Sequence, residues 1–455
     1  MAAGRQGGLP CPHPSASFWH SEPNAFLLNH ATSELPDSAD VVIVGSGITG
    51  VSVARYLGED PSAKALSVVM LEAREICSGA TGRNGGHCKA DLLEQSPEIA
   101  RFEMKNVEAV RSYIMQNEVQ CEWENISGCL TYWNEGLFAL AKARHHDLRK
   151  IDPDIANLIG ISEDKEVMRK YRVRQECVGI ITTQHDGQLW PYKYVTSITH
   201  TPVLNVECTE NTRIVHTPRG SIKAKCVVLA TNGYTSRILN QFNDLIVPIR
   251  CQMSALHPPQ ESPRLLHSYG MVGFGTSDPE TDDYLIQRPF QHIDGRFRGG
   301  HLMYGEGRSN ARYETVGESD DDIIDSGESE YLRRALPQML DLGGLETKEL
   351  VASHEWTGII GRSRDNVPWV GRVPQRKDEA RWEDGLWLCA GYSGHGMPNA
   401  SLCAKAIVTM MLEGEDNYDT VSEMLIQSGE LPRPYLITHE RLQEARRLPL
   451  VAGVQ

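Results

Sequence analysis

Apolar positions along this 455-residue chain fall into distinct runs. Val41-Val42-Ile43-Val44 is short, continuous and β-branched, the pattern of a parallel strand buried on both faces. Residues 48 to 58 carry helical spacing and Leu66 to Leu71 is strand-like again, so residues 40 to 72 predict one βαβ unit whose second strand ends at Glu72. Helical spacing returns around 98 to 118 and 143 to 160. Strand-like segments follow at Gly179 to Thr183 and Val203 to Glu207, and a third buried run, Cys226-Val227-Val228-Leu229-Ala230, leads into Thr231-Asn232-Gly233. Residues 246 to 305 alternate and are rich in turns, as an antiparallel sheet is, with Tyr284-Leu285-Ile286-Gln287-Arg288 as one strand. The last part returns to the first pattern, with Leu386-Trp387-Leu388-Cys389-Ala390, a Gly-rich turn and a helix from Asn399 to Leu412. Regular order is predicted from Val41 onward. Residues 19 to 36 are too polar and Pro-interrupted for a regular element, and Phe26-Leu27-Leu28 is left to pin that arm to the body.

A sheet that is left and re-entered predicts an α/β fold: a discontinuous Rossmann-type dinucleotide domain with an inserted antiparallel-sheet substrate domain. The expected division is an N-terminal arm over 1–37, the dinucleotide domain over 38–97, 171–245 and 350–430, the substrate domain over 98–170 and 246–349, and a C-terminal tail over 431–455.

Composition narrows the function classes. Apolar residues at 40% and charged residues at 23% supply a sizeable core. A net charge of -15 argues against nucleic acid or an anionic membrane as partner, since both are bound through clustered Lys and Arg. The acidic stretch Glu318-Ser319-Asp320-Asp321-Asp322, continued by Asp325, Glu328 and Glu330, reads as a solvated loop. The 11 cysteines are scattered without a Cys-x-x-Cys pair or zinc-site spacing, so reduced thiols and no metal are expected. No run approaches the roughly 20 apolar residues that span a bilayer. With no apolar signal core at the N-terminus and no Ser-Lys-Leu at the C-terminus, a cytoplasmic protein is expected.

The chemistry starts at Gly45-Ser46-Gly47-Ile48-Thr49-Gly50. In such a turn the first glycine permits the bend, the second lets backbone approach a pyrophosphate and the third lets the helix pack on the strand. The helix N-terminus then binds anion through free N–H groups and its dipole, and Glu72, 22 residues after Gly50, is placed to take ribose hydroxyls. The loop Cys77-Ser78-Gly79-Ala80-Thr81-Gly82-Arg83-Asn84-Gly85-Gly86-His87 has side chains small enough for backbone to lie against a flat ring.

These segments, with Ala230-Thr231-Asn232-Gly233 and Gly391-Tyr392-Ser393-Gly394-His395-Gly396-Met397, resemble the D-amino-acid oxidase superfamily of FAD-dependent oxidoreductases. The likeness runs over roughly residues 38 to 412 and is nearest to the gamma-glutamylputrescine oxidase and sarcosine oxidase-like branch. It implies FAD as cofactor, with Gly45, Ser46, Gly47, Ile48, Thr49 and Gly50 at the pyrophosphate and Glu72, Ala73 and Arg74 at the adenosine. Thr81, Arg83, Asn84, Gly85, Gly86 and His87 would follow the flavin edge, Val206 the adenine, Thr231 and Gly233 the dinucleotide crevice, and Gly394, His395, Gly396 and Met397 the pyrimidine end. It also implies oxidation of an amine or amino acid by hydride transfer to flavin, with oxygen as acceptor and hydrogen peroxide as product. His87, Arg83, Tyr284, Arg288 and His395 are the candidate catalytic residues, with His301 beside them, and His87 is also a candidate covalent tether.

Two departures from that pattern stand out. Where relatives that act on small amino acids carry a carboxylate-binding Arg, this chain has Ile360, leaving Arg362 or Arg364 as substitutes, and the segment lacks the cysteine that tethers flavin in monomeric sarcosine oxidases. The connection from Tyr192 to Thr201 is at the lower limit for a parallel crossover. A flavin dehydrogenase with another acceptor, and an FAD-binding protein impaired in turnover, are the competing readings.

Overall fold

The computed structural model describes residues 7–24, 34–195, 205–208, 213–275, 282–293, 296–306, 315–343, 347–375, 382–414 and 417–449. The chain opens with β1 (Ser38–Val44), α1 (Ile48–Glu59), β2 (Val68–Leu71), the short β3 (His87–Cys88) and the long α2 (Pro97–Gln116). Next come β4 (Glu124–Tyr132), α3 (Glu135–Ile151), α4 (Pro153–Ala156), β5 (Gly160–Ser162), α5 (Lys165–Lys170), β6 (Gly179–Gln188) and α6 (Pro191–Tyr194). A ribbon of β7 (Asn205–Cys208), β8 (Arg213–Thr217) and β9 (Gly220–Leu229) leads through the one-turn α7 (Thr235–Ile238) to β10 (Ile246–Leu256). The strands β11 (His267–Val272), β12 (Asp282–Gln287), β13 (Phe290–Ile293), β14 (Arg296–Gly299) and β15 (Leu302–Glu306) precede α8 (Ser326–Met339). Finally β16 (Ala352–Ser363), β17 (Trp369–Pro374), β18 (Trp382–Ala390), α9 (Ala400–Glu413), α10 (Tyr418–Gln427) and α11 (His439–Arg447) return to the first layer.

The fold is mixed α/β, built on two large sheets. One has the order β17-β18-β9-β1-β2, with β8 and β7 attached to β9. Its centre is parallel: Val41 to Val44 pair with Val68 to Leu71 on one side and with Cys226 to Leu229 on the other. Val42 and Ile43 are fully buried, because α1 and α9 cover one face of this sheet and a cluster with Leu239, Phe242, Leu245 and Trp369 covers the other. The second sheet has the order β16-β10-β15-β12-β11-β4-β6-β3, with β5 on β6. Both β6 and β16, which the expected division assigns to the dinucleotide domain, lie in this second sheet. Apolar alternation marks a strand without saying which sheet receives it.

Several expectations are corrected. Order does not wait for Val41: residues 7–24 pack on the body, Phe18–His20 forms a helical turn and Trp19 is fully buried. The helix expected at 143 to 160 starts earlier, at Glu135, and breaks at Asp152 because Pro153 cannot continue the hydrogen-bond ladder. The second sheet is not wholly antiparallel, since β11 runs parallel to β4. Strand β12 stops at Gln287, one residue short of Arg288. The crossover concern also changes. β7 pairs antiparallel with β8, and β8 antiparallel with β9, so β7 needs no parallel connection to these partners. Residues 196–204 of that connection, like Phe26-Leu27-Leu28, lie outside the described residues.

Candidate active site

The first βα turn is built around steric necessity. Gly45 has φ +107°, and a Cβ there would lie 2.7 Å from the Ala230 carbonyl oxygen. A Cβ on Gly50 would lie 1.9 Å from the Gly45 carbonyl oxygen, so this position is what lets α1 close on the turn. Helix α1 begins at Gly47, which offers no side-chain cap. Its first amide, Ile48 N–H, donates to Thr81 Oγ1 at 3.1 Å. Glu72 stands beside this helix end. Its Oε2 accepts from Ser46 N and Ser46 Oγ at 2.9 and 2.6 Å, and its Oε1 from Arg74 N at 3.1 Å.

The small-residue loop turns back under the sheet. Gly82 packs so closely that a Cβ would sit 2.0 Å from the Cys77 carbonyl oxygen, and a Cβ on Gly85 would sit 2.2 Å from the Tyr284 ring. Gly85 N–H donates to the Tyr284 hydroxyl at 3.0 Å. His87 meets the same tyrosine edge to face, with centroids 5.2 Å apart.

One cavity of about 760 Å³ runs along all of this. It is lined by Gly45 to Thr49, Glu72, Ala73, Arg74, Thr81, Arg83, Asn84, Gly85, His87, Thr231, Gly233, Tyr284 and Gly394 to Met397. Gly50 and Gly86 do not line it; Gly86, at φ +80°, backs onto the Trp19 ring. Val206 sits in β7, and its side chain lies outside the described residues.

The candidate catalytic residues separate. His87, Tyr284 and His395 all line the cavity, the first two in contact. Arg83 borders it, but its guanidinium donates to Ser78 O at 2.8 Å, Thr357 O at 2.6 Å and Ser15 O at 2.9 Å, and it lies 3.3 Å from Asp321. Arg74 donates to both carboxylate oxygens of Asp321 and to Ser78 O. Asp321 is fully buried, so the acidic stretch is not simply a solvated loop: one of its carboxylates is shared by two buried arginines beside the cavity. Arg288 leaves the site altogether. It pairs with Glu122 at 2.8 Å and stacks over the Trp190 and Phe18 rings. His301 also points elsewhere, against Phe18 and His257. Of the three residues in the 360–364 segment, Ile360 and Arg362 line the cavity, whereas Arg364 turns to Asp244 and the Leu448 carbonyl.

Burial holds the His87 pKa down at about 3, and its Nδ1 is buried without a hydrogen-bond partner. His395 is more open, with Nδ1 3.3 Å from Glu103 Oε1. Glu103, 1% exposed, also accepts from Asn399 Nδ2 at 2.7 Å, so α2 fixes the start of α9. The sequence reading missed Glu103, Asp321, the Thr49–Tyr392 hydroxyl contact at 3.0 Å, and Gly8, Leu9 and Pro10, which supply part of the cavity wall. Their partners lie far away in sequence, and no local pattern marks them.

A helix end whose N-cap residue, Gly47, has no side chain leaves backbone open to a pyrophosphate, and the unpartnered His87 Nδ1 awaits a polar neighbour. At Gly394, φ +94°, a Cβ would meet nothing within 4 Å, which leaves backbone open to a flat group. The residues present therefore fit FAD.

The sequence matches the FAD dependent oxidoreductase (DAO) family over residues 40–410. The chain belongs to that family and is an FAD-dependent oxidoreductase. It is 22% identical over 411 residues to the gamma-glutamylputrescine oxidoreductase of Escherichia coli (strain K12), covering 85% of this chain and 87% of that one. To the glycine oxidase of Bacillus subtilis (strain 168) it is 21% identical over 412 residues, covering 86% and 98%. Its fold is similar to the crystal structure of glycine oxidase from Geobacillus kaustophilus, with a TM-score of 0.65 at 18% identity over 84% of this chain and 96% of that one. L-amino acid deaminase from Proteus myxofaciens superposes with a TM-score of 0.64 at 14% identity, over 96% and 99%. Among the described residues no helix is long and apolar enough to cross a membrane.

Proposed function

We propose that the chain oxidises the C–N bond of a small-molecule amine or amino acid, with molecular oxygen as the electron acceptor. The observation that carries this reading is the continuity of the cavity from the glycine turn at the N-terminus of α1 to His87 and Tyr284. A dinucleotide held at the first end brings its ring to the second. Bound FAD supplies the acceptor for the hydride that leaves the carbon next to nitrogen; the imine is then hydrolysed by water, and oxygen takes up the electrons as hydrogen peroxide.

The protein's part is binding, orientation and charge. The α1 N-terminus, with Ser46, Gly47, Ile48 and Thr49, would hold the pyrophosphate, and Glu72 with Ala73 the adenosine. Thr81, Arg83, Asn84, Gly85 and His87 would run beside the ring, and Gly394 to Met397 would present backbone to its pyrimidine end. His87 stays neutral across the ordinary pH range because burial opposes its charge, so it does not repel an incoming cationic amine. The Tyr284 hydroxyl is fixed by Gly85 and can present a lone pair or proton to the substrate nitrogen. Arg74 and Arg83 hold the loop that forms the wall, through Ser78 O, Thr357 O and the Asp321 carboxylate.

The test is reconstitution with FAD followed by anaerobic mixing with a panel of amines, N-methyl amino acids and D- and L-amino acids. Bleaching of the flavin by members of one class, and peroxide on admitting air, is the expected result. Bleaching without peroxide would transfer the function to a dehydrogenase. Failure of every substrate to bleach a fully loaded protein would remove the catalytic reading.

A further inference from the structure

The cavity extends beyond Tyr284 in a direction that the cofactor does not require. Direct cross-strand partners share a face of a sheet. Tyr284 on β12 lies opposite Gly270 on β11, Gly270 opposite Leu130 on β4, and Leu130 opposite Ile181 on β6. Tyr284, Gly270, Leu130 and Ile181 all line the cavity, so they form one row across its floor. The floor is low beside the tyrosine: a Cβ on Gly270 would lie 2.5 Å from Leu130 Cδ2. Two residues further along the same face, Val272 lies opposite Tyr132, and both line the cavity as well.

Helix α3 closes this arm from above with Leu137, which is 9% exposed, and Leu140, which is 56% exposed at the mouth. An exposed leucine on an apolar channel is a surface that water leaves readily. Among the charged groups along the channel, Asp91 accepts from the Leu93 and Glu94 amides, and the others answer one another. Arg144 pairs with Glu94, and Lys89 Nζ lies 3.8 Å from Asp186 Oδ2, which also accepts from Thr183 Oγ1 at 2.9 Å. Glu306, at the end of β15, lies on the other side of β12.

We infer that this arm receives the substrate's distal end, and that this end is an uncharged hydrocarbon or aromatic group. The inference rests on the amine-oxidising reading for the reacting end only. A second ammonium or a carboxylate at the far end would be desolvated among the Leu130, Ile181, Val272 and Leu137 side chains, which carry no charge to meet it. Diamines and lysine-like substrates are thereby disfavoured relative to their hydrocarbon counterparts.

Matched probes test this on the FAD-loaded full chain: butylamine and hexylamine against 1,6-diaminohexane, and D- and L-norleucine against D- and L-lysine. Perturbation of the flavin absorption band gives a Kd whether or not the probe is oxidised, so the inference can be judged even if no probe bleaches the flavin. Affinity should rise by about fourfold per added methylene, and the uncharged member of each pair should bind at least about tenfold tighter. The exposed substitution Leu140→Asp should weaken hexylamine several-fold and leave butylamine within about twofold, without affecting folding. Leu130→Asp should weaken both, and a thermal melt will say whether that variant is folded. Equal or tighter binding of the charged members, or a flat dependence on chain length, would overturn the inference. Loss of bleaching with the affinity pattern intact would instead count against the proposed reaction.

Discussion

Asp321 accepts from both terminal nitrogens of Arg74, at 2.7 and 3.0 Å, across 247 residues of sequence. The carboxylate is fully buried, and Arg83 approaches it at 3.3 Å from the other side. One anion is thus shared by two guanidinium groups at the wall of the cavity and offsets one of their two charges. Removing it leaves two buried positive charges facing each other, and breaking a buried pair in this way costs about 3–5 kcal/mol. Asp321→Asn should therefore melt many degrees lower than the parent and lose FAD on gel filtration, even though Asp321 does not line the cavity. A melt within about 2 °C of the parent would show that the arginines find other partners.

Ser46 and Glu72 give a more local prediction. The Ser46 hydroxyl donates to the carboxylate at 2.6 Å, and the backbone amide of the same residue at 2.9 Å. Ser46→Ala deletes the first bond and keeps the second. A hydrogen bond to a charged acceptor contributes about 1.5–3 kcal/mol, so FAD affinity should fall by roughly tenfold or more if Glu72 must be aimed at the ribose. Glu72→Ala should lower it further. Fluorescence titration of apoprotein with FAD measures both.

Two glycines of the dinucleotide site should respond differently to alanine. At Gly50 the new Cβ would lie 1.9 Å from the Gly45 carbonyl oxygen, which is backbone and cannot swing aside. Helix α1 must then lift from the turn, and Gly50→Ala should yield insoluble or colourless protein. At Gly394 nothing lies within 4 Å, and the only intrinsic penalty is the φ of +94°, about 1–3 kcal/mol. Gly394→Ala should fold and keep its far-UV circular dichroism, yet bind FAD weakly, because its methyl group occupies space at the ring's edge. Equal FAD affinity in this variant and the parent would move the pyrimidine end elsewhere.

What the sequence made legible was contiguous. Strand, glycine turn, helix, strand and acid lie within 35 residues, and each imposes a local pattern, so β1, α1, β2 and Glu72 appear where the apolar periodicity placed them. The long helix α2 and the buried strand β9 were equally readable. What was not legible depends on distant partners. Nothing near Asp321 announces that it will be buried by Arg74, and nothing near Arg288 that Glu122 and two aromatic rings will take it from the site. An acidic run and a strand-end arginine have the same local appearance whether they face solvent, substrate or each other. The N-terminal arm shows the same point: Pro and polar residues hide the fact that Trp19 is a core side chain.

That arm is an experiment in itself. Trp19 Nε1 donates to the Asn84 carbonyl at 2.5 Å, its own carbonyl accepts from Trp190 Nε1 at 2.7 Å, and Ser17 Oγ donates to Gly82 O at 2.6 Å. Residues 15 to 19 therefore brace the loop that borders the cavity. Trp19→Ala should cost about 3–5 kcal/mol through the cavity it leaves, and Gly86, which backs onto its ring, should lose its support. Chemical denaturation of the apoprotein measures the stability loss, and the FAD Kd measured below the transition reports whether the loop is displaced as well.

Three partly buried histidines contribute to the pH dependence of stability. Burial lowers His20 to about 4, His87 to about 3 and His301 to about 4, from an ordinary value of 6.5. Above pH 6.5 these groups are neutral in both the folded and unfolded chain, so their contribution is complete and constant. Between 6.5 and about 4 the unfolded chain takes up protons that the folded chain refuses, and stability falls as the pH falls, by up to about 1.4 kcal/mol per pH unit for each histidine. His301 is outside the cavity, so its replacement isolates the effect from cofactor binding. The His301→Asn apoprotein should lose less stability than the parent on going from pH 6.5 to 4.5, with the two curves parallel above pH 7. Parallel curves throughout would mean that His301 is protonated in the folded chain, through an opening of the Phe18 contact that lets water reach its ring.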